Sequence, residues 1–78
     1  MRKINLIVIH CTASRCNSQL TPEALEAEHR RRGFACCGYH FYIRRSGEVK
    51  PMRQIAQIGA HAKGFNANSI GIAYEGGL

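Results

Sequence analysis

The chain has 78 residues, a hydrophobic fraction of 45% and a formal net charge of +6. This length holds one domain at most, and the hydrophobic fraction is that of a folded protein and not of a disordered one. The basic balance attracts anionic partners such as nucleic acid, membrane surfaces or cell-wall polymers. Nucleic acid is disfavoured among these, because the cations are not interleaved with aromatic residues as they are in a base-stacking groove.

The N-terminal half is predicted to form a strand followed by a helix. Residues 4–9 are almost all apolar and largely β-branched, which predicts a buried strand rather than an edge strand. Thr21 can cap a helix whose first position suits Pro22, and Gly33 is expected to end it in the left-handed conformation. The arginines at 30–32 then lie at the end of the helix, where cations complement its exposed carbonyls.

The C-terminal half is predicted to contain a hairpin and a final strand. Residues 39–44 alternate in polarity and are rich in aromatics, residues 46–47 read as a turn, and residues 48–52 complete the hairpin. Residues 69–74 predict the last strand. The order strand, helix, hairpin, strand predicts a mixed α/β fold, with a central mixed sheet and a flanking helix, in one domain over residues 1–78.

The four cysteines are Cys11, Cys16, Cys36 and Cys37, and we expect them to be free thiols. Two of them are adjacent and cannot readily bond each other, and no C-x-x-C pair indicates a zinc ribbon. The apolar run after the charged N-terminus is too short for a secretory signal, and no stretch approaches the length of a membrane span. These patterns predict synthesis in a reducing cytoplasm without membrane insertion.

Three polar positions at or beside apolar runs are candidates for chemistry. His10 follows the first strand at the rim of the sheet, where it can ligate a metal or act as a base, or simply bond to the backbone. Tyr39 can orient a water or stabilise negative charge, or lie at the edge of the core. His61 lies between small residues, as in a cleft wall or a loop anchor. Together they predict one polar site at the edge of the sheet.

Other residues near these positions leave further interpretations open. Asn66 and Asn68 suit a tight turn and can serve only to shape it. Tyr39 and His40 are adjacent in a predicted strand, so only one of them can face the same side as His10. A mixed metal site is conceivable, although no regular ligand spacing favours it; its members would be His10, Cys11, Cys36, Cys37, His40 and His61.

Five segments of the chain form a pattern of fixed order and spacing, namely IVIHCTA at 7–13, GYHF at 38–41, RSGEV at 45–49, GAH at 59–61, and NANSIGI at 66–72 followed by Gly76 and Gly77. This pattern resembles the zinc-dependent N-acetylmuramoyl-L-alanine amidases of the bacteriophage T7 lysozyme and peptidoglycan-recognition-protein type. The resemblance implies that residues 1–78 form the N-terminal half of a three-layer amidase domain.

The resemblance also implies a reaction, the hydrolysis of the amide between N-acetylmuramic acid and the first L-alanine of the peptidoglycan stem peptide. His10 matches a zinc ligand of the family and Tyr39 its catalytic tyrosine. Ala73 stands where another branch of the family carries a glutamate, so the chain resembles the tyrosine branch. The residues implied to line the substrate cleft are Thr12, His61, Asn66 and Asn68.

In the family, two further zinc ligands, a His and a Cys or Asp, come from the C-terminal half of the domain. The Zn²⁺ ligand set of this chain is therefore expected to be incomplete, and the chain alone to be inactive or nearly so. Without the later helices, apolar sheet surface is expected to be exposed and to favour a homodimer.

The expected partner is peptidoglycan or a muropeptide, and the expected place of action is the cell wall. Two alternatives to an enzyme follow from the same sequence. The first is a non-catalytic module that binds peptidoglycan. The second is a small basic protein that binds nucleic acid, for which the net charge is the sole support.

Overall fold

The computed structural model describes residues 2–13, 19–34 and 36–77. It has the mixed α/β architecture expected from the sequence, with a four-stranded mixed sheet and one α-helix. Cys16 lies outside the described residues, and the three described cysteines are free thiols. The described helices are too short to cross a membrane. In chain order the elements are β1 (Leu6–Cys11), α1 (Pro22–Arg31), β2 (Phe41–Ile43), β3 (Val49–Pro51), a 3-10 helix (Asn66–Asn68) and β4 (Ser69–Tyr74).

The strands lie in the order β1-β4-β2-β3, so the last strand is inserted beside the first. β4 runs parallel to both β1 and β2, and β2 and β3 form the predicted antiparallel hairpin. The register pairs Ala73 with His10 on one side and with Tyr42 on the other. Because side chains alternate along a strand, these three residues face the same side of the sheet. Ala73 and Tyr42 form the core with Leu25 of α1, so His10 lies on the helix side.

β1 is an edge strand, and the prediction that it is buried was wrong. Within the part of the chain that the structure describes, β1 pairs on one side alone, with β4, and α1 covers a single face of the sheet. Ile7 is 59% exposed and Ile9 is 68% exposed on the other face. A continuous apolar run is typical of a strand that is covered on both faces, but it does not indicate which elements cover it.

The strand boundaries near the candidate site also differ from the prediction. β1 continues to Cys11, because its parallel pairing with β4 extends to Tyr74, so His10 lies within the strand and not after it. β2 starts at Phe41, so Tyr39 and His40 precede it in a bend. The side chains of adjacent residues in a bend need not point to opposite faces of the sheet, as they do within a strand.

The helix begins and ends as its sequence indicates. Thr21 accepts a hydrogen bond at Oγ1 from the backbone N–H of Ala24 at 3.1 Å, and Pro22 is the first helical residue. Gly33 follows the last turn with a φ of 99°, a conformation that glycine adopts without a steric penalty. The cap places Phe34, whose N–H bonds to the carbonyl of His29 at 3.0 Å, beside the helix end.

The sheet face away from α1 is apolar and largely open. We call it the outer face. Alternation from Ile7 and Ile9 brings Ile70, Ile72 and Tyr74 of β4 to this side. Tyr74 is 43% exposed, and Ile7 and Ile9 of β1 are more exposed still. The exposed apolar surface expected from the sequence is therefore present among the described residues.

Glu75 connects the end of β4 to two other segments. Its side chain is 1% exposed and accepts hydrogen bonds from the N–H of Arg45 at 3.0 Å, the N–H of Leu20 at 2.9 Å and the guanidinium of Arg44 at 2.9 Å. The two backbone donors, followed by the Arg44 side chain, lower the pKa of Glu75 from 4.5 to about 2. The ionised carboxylate thus ties the hairpin and the pre-helix loop to the central strand.

We expect Glu75→Gln to reduce the free energy of unfolding by about 3 kcal/mol at neutral pH, because it leaves a buried charged network without its partner. A depressed folded pKa stabilises the protein above pH 4.5, and that stability is lost as the pH falls towards 2. The variant should therefore lose much of this acid dependence. Urea unfolding followed by circular dichroism between pH 7 and pH 2 measures both effects.

The matched control is Glu48→Gln. Glu48 is 54% exposed and pairs with Lys50 at 3.4 Å on the hairpin, so its loss should cost less than about 1 kcal/mol. Equal acid dependence in wild type and Glu75→Gln would contradict the structural role of Glu75.

Candidate functional site

His10 and His61 meet beside the carboxyl end of β1. Nε2 of His10 lies 3.0 Å from Nδ1 of His61, and the two ring centroids are 5.1 Å apart. Burial lowers the pKa of His10. Burial, followed by the nearby His10 and His40, lowers the pKa of His61 to about 4. Both imidazoles are therefore neutral at neutral pH, and one of them donates the hydrogen bond that joins them.

The loop before β4 holds His61 in place. Oδ1 of Asn66 accepts hydrogen bonds from the backbone N–H groups of His61 and Ala62, both at 2.9 Å. Oγ of Ser69 lies 3.3 Å from Nε2 of the same imidazole. A Cβ on Gly71 would come within 2.5 Å of the His61 ring, so this strand position must be glycine for the ring to pack on it. Asn66 thus shapes the loop and positions its histidine.

Tyr39 is the third member of the site. Its ring centroid lies 5.2 Å from that of His10 and 6.3 Å from that of His61. Burial is the main cause that raises the pKa of Tyr39 above its ordinary value of 10. The phenol consequently stays protonated at neutral pH and can donate a hydrogen bond. The structure thus brings the three candidates His10, Tyr39 and His61 together.

His40 holds parts of the fold together. It is fully buried, and its Nδ1 accepts a hydrogen bond from the N–H of Gly71 at 3.0 Å. A neutral ring with Nδ1 accepting carries its proton on Nε2, which donates to the carbonyl of Gln57 at 2.7 Å. Nη2 of Arg2 lies 3.0 Å from Nε2 of His40. Because a guanidinium nitrogen and this protonated ring nitrogen are both donors, they do not form a hydrogen bond with each other. Both nitrogens of His40 are thus engaged in tying β4 to the loop at Gln57.

His29 lies beside Tyr39 and was not identified from the sequence. Its ring centroid is 5.3 Å from that of Tyr39, and the residue is 5% exposed. One sequence signal was available. His29 follows Leu25 by four residues and therefore lies on the same, core-facing side of α1.

Two predicted cleft residues make hydrogen bonds within the scaffold. Oγ1 of Thr12 accepts from the N–H of Gly76 at 3.1 Å, which ties the end of β1 to the end of β4. The side-chain amide of Asn68 donates to Oδ1 of Asn5 at 2.8 Å. Neither Thr12 nor Asn68 is among the residues that line the groove described next.

An open groove of about 420 Å³ lies next to the three-residue site. Tyr39, His61 and Asn66 contribute to its lining, and two cations, Arg32 and Lys63, lie along it. None of the described residues that line the groove is acidic. Arg32 is also ion-paired with Glu28 at 3.0 Å, which offsets part of its charge, so the groove favours a negatively charged ligand only weakly.

The described residues do not complete a metal site. Among them, no group of three His, Cys, Asp or Glu side chains could hold a metal ion, whereas catalytic zinc takes three protein ligands. The mixed cysteine–histidine site is not formed, because Cys11 alternates onto the outer face and Cys37 is fully buried, where burial raises its pKa and disfavours the thiolate. The described residues around His10 therefore do not supply the three protein ligands of a catalytic zinc site.

Comparison with known proteins identifies the family of this site. The model of the N-acetylmuramoyl-L-alanine amidase family matches residues 1–78, which is the whole chain. The chain belongs to this amidase family. The resemblance drawn from the sequence segments is confirmed.

Individual relatives of this amidase chain include both endolysins and recognition proteins. The endolysin of Escherichia phage T7 is 38% identical over 72 residues, covering 92% of this chain and 48% of the endolysin. The solved structure of the endolysin amidase LysCS from Clostridium intestinale is 41% identical with a TM-score of 0.86, covering 96% of this chain and 47% of that one. A mutant of Drosophila peptidoglycan-recognition protein LB in complex with tracheal cytotoxin is 27% identical with a TM-score of 0.77, covering 97% and 49%. The amidase chain thus spans about half the length of the relatives it matches.

Proposed function

We propose that this chain is part of an amidase domain that hydrolyses the amide between the lactyl group of N-acetylmuramic acid and the first L-alanine of the stem peptide. The observation that carries the proposal is the meeting of His10, Tyr39 and His61 beside a cationic groove. It occurs in a chain that matches the amidase family from end to end. The cell wall is the proposed place of action.

Tyr39 is the proposed catalytic residue of this chain. Because burial raises its pKa, its hydroxyl keeps its proton at neutral pH. It can donate a hydrogen bond to the attacking water or to the scissile carbonyl oxygen as that oxygen gains negative charge. A donor held before the reaction costs little reorganisation in the transition state.

Zinc is the proposed cofactor, with His10 as one ligand and the remaining ligands from outside these 78 residues. When bound, such a metal polarises the carbonyl and lowers the pKa of a bound water. His61 is proposed to line the cleft without ligating, and Asn66 to hold it there. Thr12 and Asn68 are proposed to support the cleft through the hydrogen bonds that they make within the scaffold.

The direct test uses the product of the full reading frame that contains this chain, incubated with a defined N-acetylmuramoyl tripeptide. Mass spectrometry should detect the free tripeptide with an unblocked L-alanine amine, in a reaction that a chelator stops and added zinc restores. A protein consisting of residues 1–78 alone should release little or none. Absence of cleavage by the full product in zinc would reject the amidase proposal.

The alternative is a module that binds peptidoglycan without cleaving it. Two observations favour it, namely the cations Arg32 and Lys63 along the groove and the likeness to a recognition protein in complex with tracheal cytotoxin. If the full product cleaves no muropeptide but is retained on insoluble peptidoglycan, this alternative is supported. Passage of that protein through the same material would exclude it.

We further expect residues 1–78 expressed alone to form a homodimer through the outer face. Ile7, Ile9 and Tyr74 expose apolar surface there, and water disfavours such a contiguous patch. Size-exclusion chromatography with light scattering should give twice the monomer mass, and Ile9→Lys should return the monomer mass. A monomer for the unmodified chain would contradict this expectation.

A further inference from the structure

His29 is a buried imidazole that lines the groove and has no role in the reaction proposed above. It is 5% exposed in the last turn of α1, and its ring packs edge-on against Phe34 with centroids 5.3 Å apart. A buried imidazole needs a hydrogen-bond partner, and the partner it has determines what it can do.

That partner is the backbone immediately before Tyr39. The N–H of Gly38 donates to Nδ1 of His29 at 2.7 Å. The acceptor nitrogen must be unprotonated, so a neutral ring carries its hydrogen on Nε2. Burial, followed by the nearby Arg32, lowers the pKa of His29, which agrees with a neutral ring. The helix thus holds the backbone N–H of Gly38, the residue before the tyrosine.

Gly38 is held from its other side as well. Its carbonyl accepts a hydrogen bond from the N–H of Ala60 at 3.0 Å, next to His61. A Cβ at position 38 would come 2.2 Å from the carbonyl oxygen of Ala60. Gly38 therefore joins the helix to the loop that carries His61, and only glycine allows the two to approach so closely.

The ring of His29 supplies a second restraint. Its centroid lies 5.3 Å from the Tyr39 ring at an interplanar angle of 51°, while His10 contacts the same ring at 5.2 Å. His29 of α1 thus restrains Tyr39 in two ways, through the backbone of the preceding Gly38 and through contact with the Tyr39 ring.

We propose that His29 is a positioning residue, which holds the Tyr39 hydroxyl at the reacting carbonyl through the hydrogen bond to Gly38 and the contact with the Tyr39 ring. The proposal rests on the amidase function proposed above. A positioning role and a packing role predict different kinetics. Misplacing a catalytic group lowers kcat and leaves substrate binding nearly intact, whereas a loss of packing lowers stability.

Three variants separate the two restraints. His29→Leu removes both the acceptor and the aromatic ring. His29→Asn keeps an acceptor near the position of Nδ1, and His29→Phe keeps a ring without an acceptor. In the full reading-frame product, His29→Leu should lower kcat about 10- to 100-fold, with KM changed less than about 3-fold. Each of the other two variants should recover part of the lost kcat.

The matched control is Leu25→Ala, one turn earlier on the same face of α1. Leu25 is 4% exposed and belongs to the core, so the variant should lower the melting temperature. At a temperature where all variants are folded, its kcat should stay within about 2-fold of wild type. An equal loss of kcat in Leu25→Ala and His29→Leu, or no loss in His29→Leu, would overturn the positioning role.

An NMR measurement tests the geometry without any catalysis. The amide proton of Gly38 should be strongly protected from exchange in the wild type and in His29→Asn, and unprotected in His29→Leu and His29→Phe. Protection that is independent of residue 29 would overturn the proposal. Correct protection in a wild type that cleaves no muropeptide would instead reject the amidase function alone.

Discussion

Tyr39→Phe should lower kcat for muropeptide hydrolysis by about 10²- to 10³-fold in the full reading-frame product, with KM and zinc content unchanged. This decrease in kcat is the one expected for the loss of one hydrogen-bond donor to the developing oxyanion. Phenylalanine keeps the ring that contacts His10 and His29 at 5.2 and 5.3 Å, so the packing of the site is retained. Steady-state kinetics with a defined muropeptide and metal analysis of the purified variant measure the three quantities.

The matched control for this variant is Tyr74→Phe. Tyr74 is 43% exposed on the outer face and loses the same hydroxyl, so its kcat should equal that of the wild type. The pH profile gives a second check. Burial raises the pKa of Tyr39 above its ordinary value of 10, so this phenol should produce no loss of activity between pH 7 and pH 9. A Tyr39→Phe variant with wild-type kcat would remove the tyrosine from the mechanism.

His10→Ala should weaken zinc binding by the full reading-frame product by more than about 100-fold. Loss of an outer-shell partner already costs 10- to 100-fold in metal affinity, and loss of a ligand costs more. Activity should fall by at least about 10³-fold, since the metal supplies several kcal/mol of transition-state stabilisation. Isothermal titration with zinc measures the first effect, and muropeptide turnover the second.

His61→Ala is the matched control, because it removes the neighbouring imidazole, whose Nδ1 is 3.0 Å from Nε2 of His10. This variant should retain zinc within about 10-fold of the wild-type affinity. Equal loss of zinc in both variants would make His61 a ligand and contradict its assignment to the cleft wall. Wild-type zinc affinity in His10→Ala would remove His10 from the metal site.

The elements that the sequence predicted well are those encoded by local chemistry. Thr21, Pro22 and Gly33 mark the ends of α1, because caps and left-handed glycines act within a few residues. The bounds of β4 were predicted as observed, at Ser69–Tyr74. The burial of β1 was predicted wrongly, since it depends on which elements cover the strand and not on the residues within it.

The candidate site was likewise predicted in part from the sequence. His10, Tyr39 and His61 were identified from their positions near apolar runs and from the family resemblance, and the structure brings them together. His29 was missed, because its partner is a backbone N–H nine residues later in the chain. The hydrogen bond of Thr12 to Gly76 was not predicted, because it spans 64 positions, which no local pattern reveals.

By itself, the sequence determined the type and order of the helix and strands, because capping and periodicity are local properties. Its motifs, spaced along nearly the whole chain, indicated the family and three residues of the candidate site. Only the tertiary structure decided that β4 lies between β1 and β2 and that β1 is at the edge. It also decided that His29 holds the peptide before Tyr39. The physical reason is that strand order and buried hydrogen bonds depend on contacts between distant segments, and their free energy is set by the whole packed core.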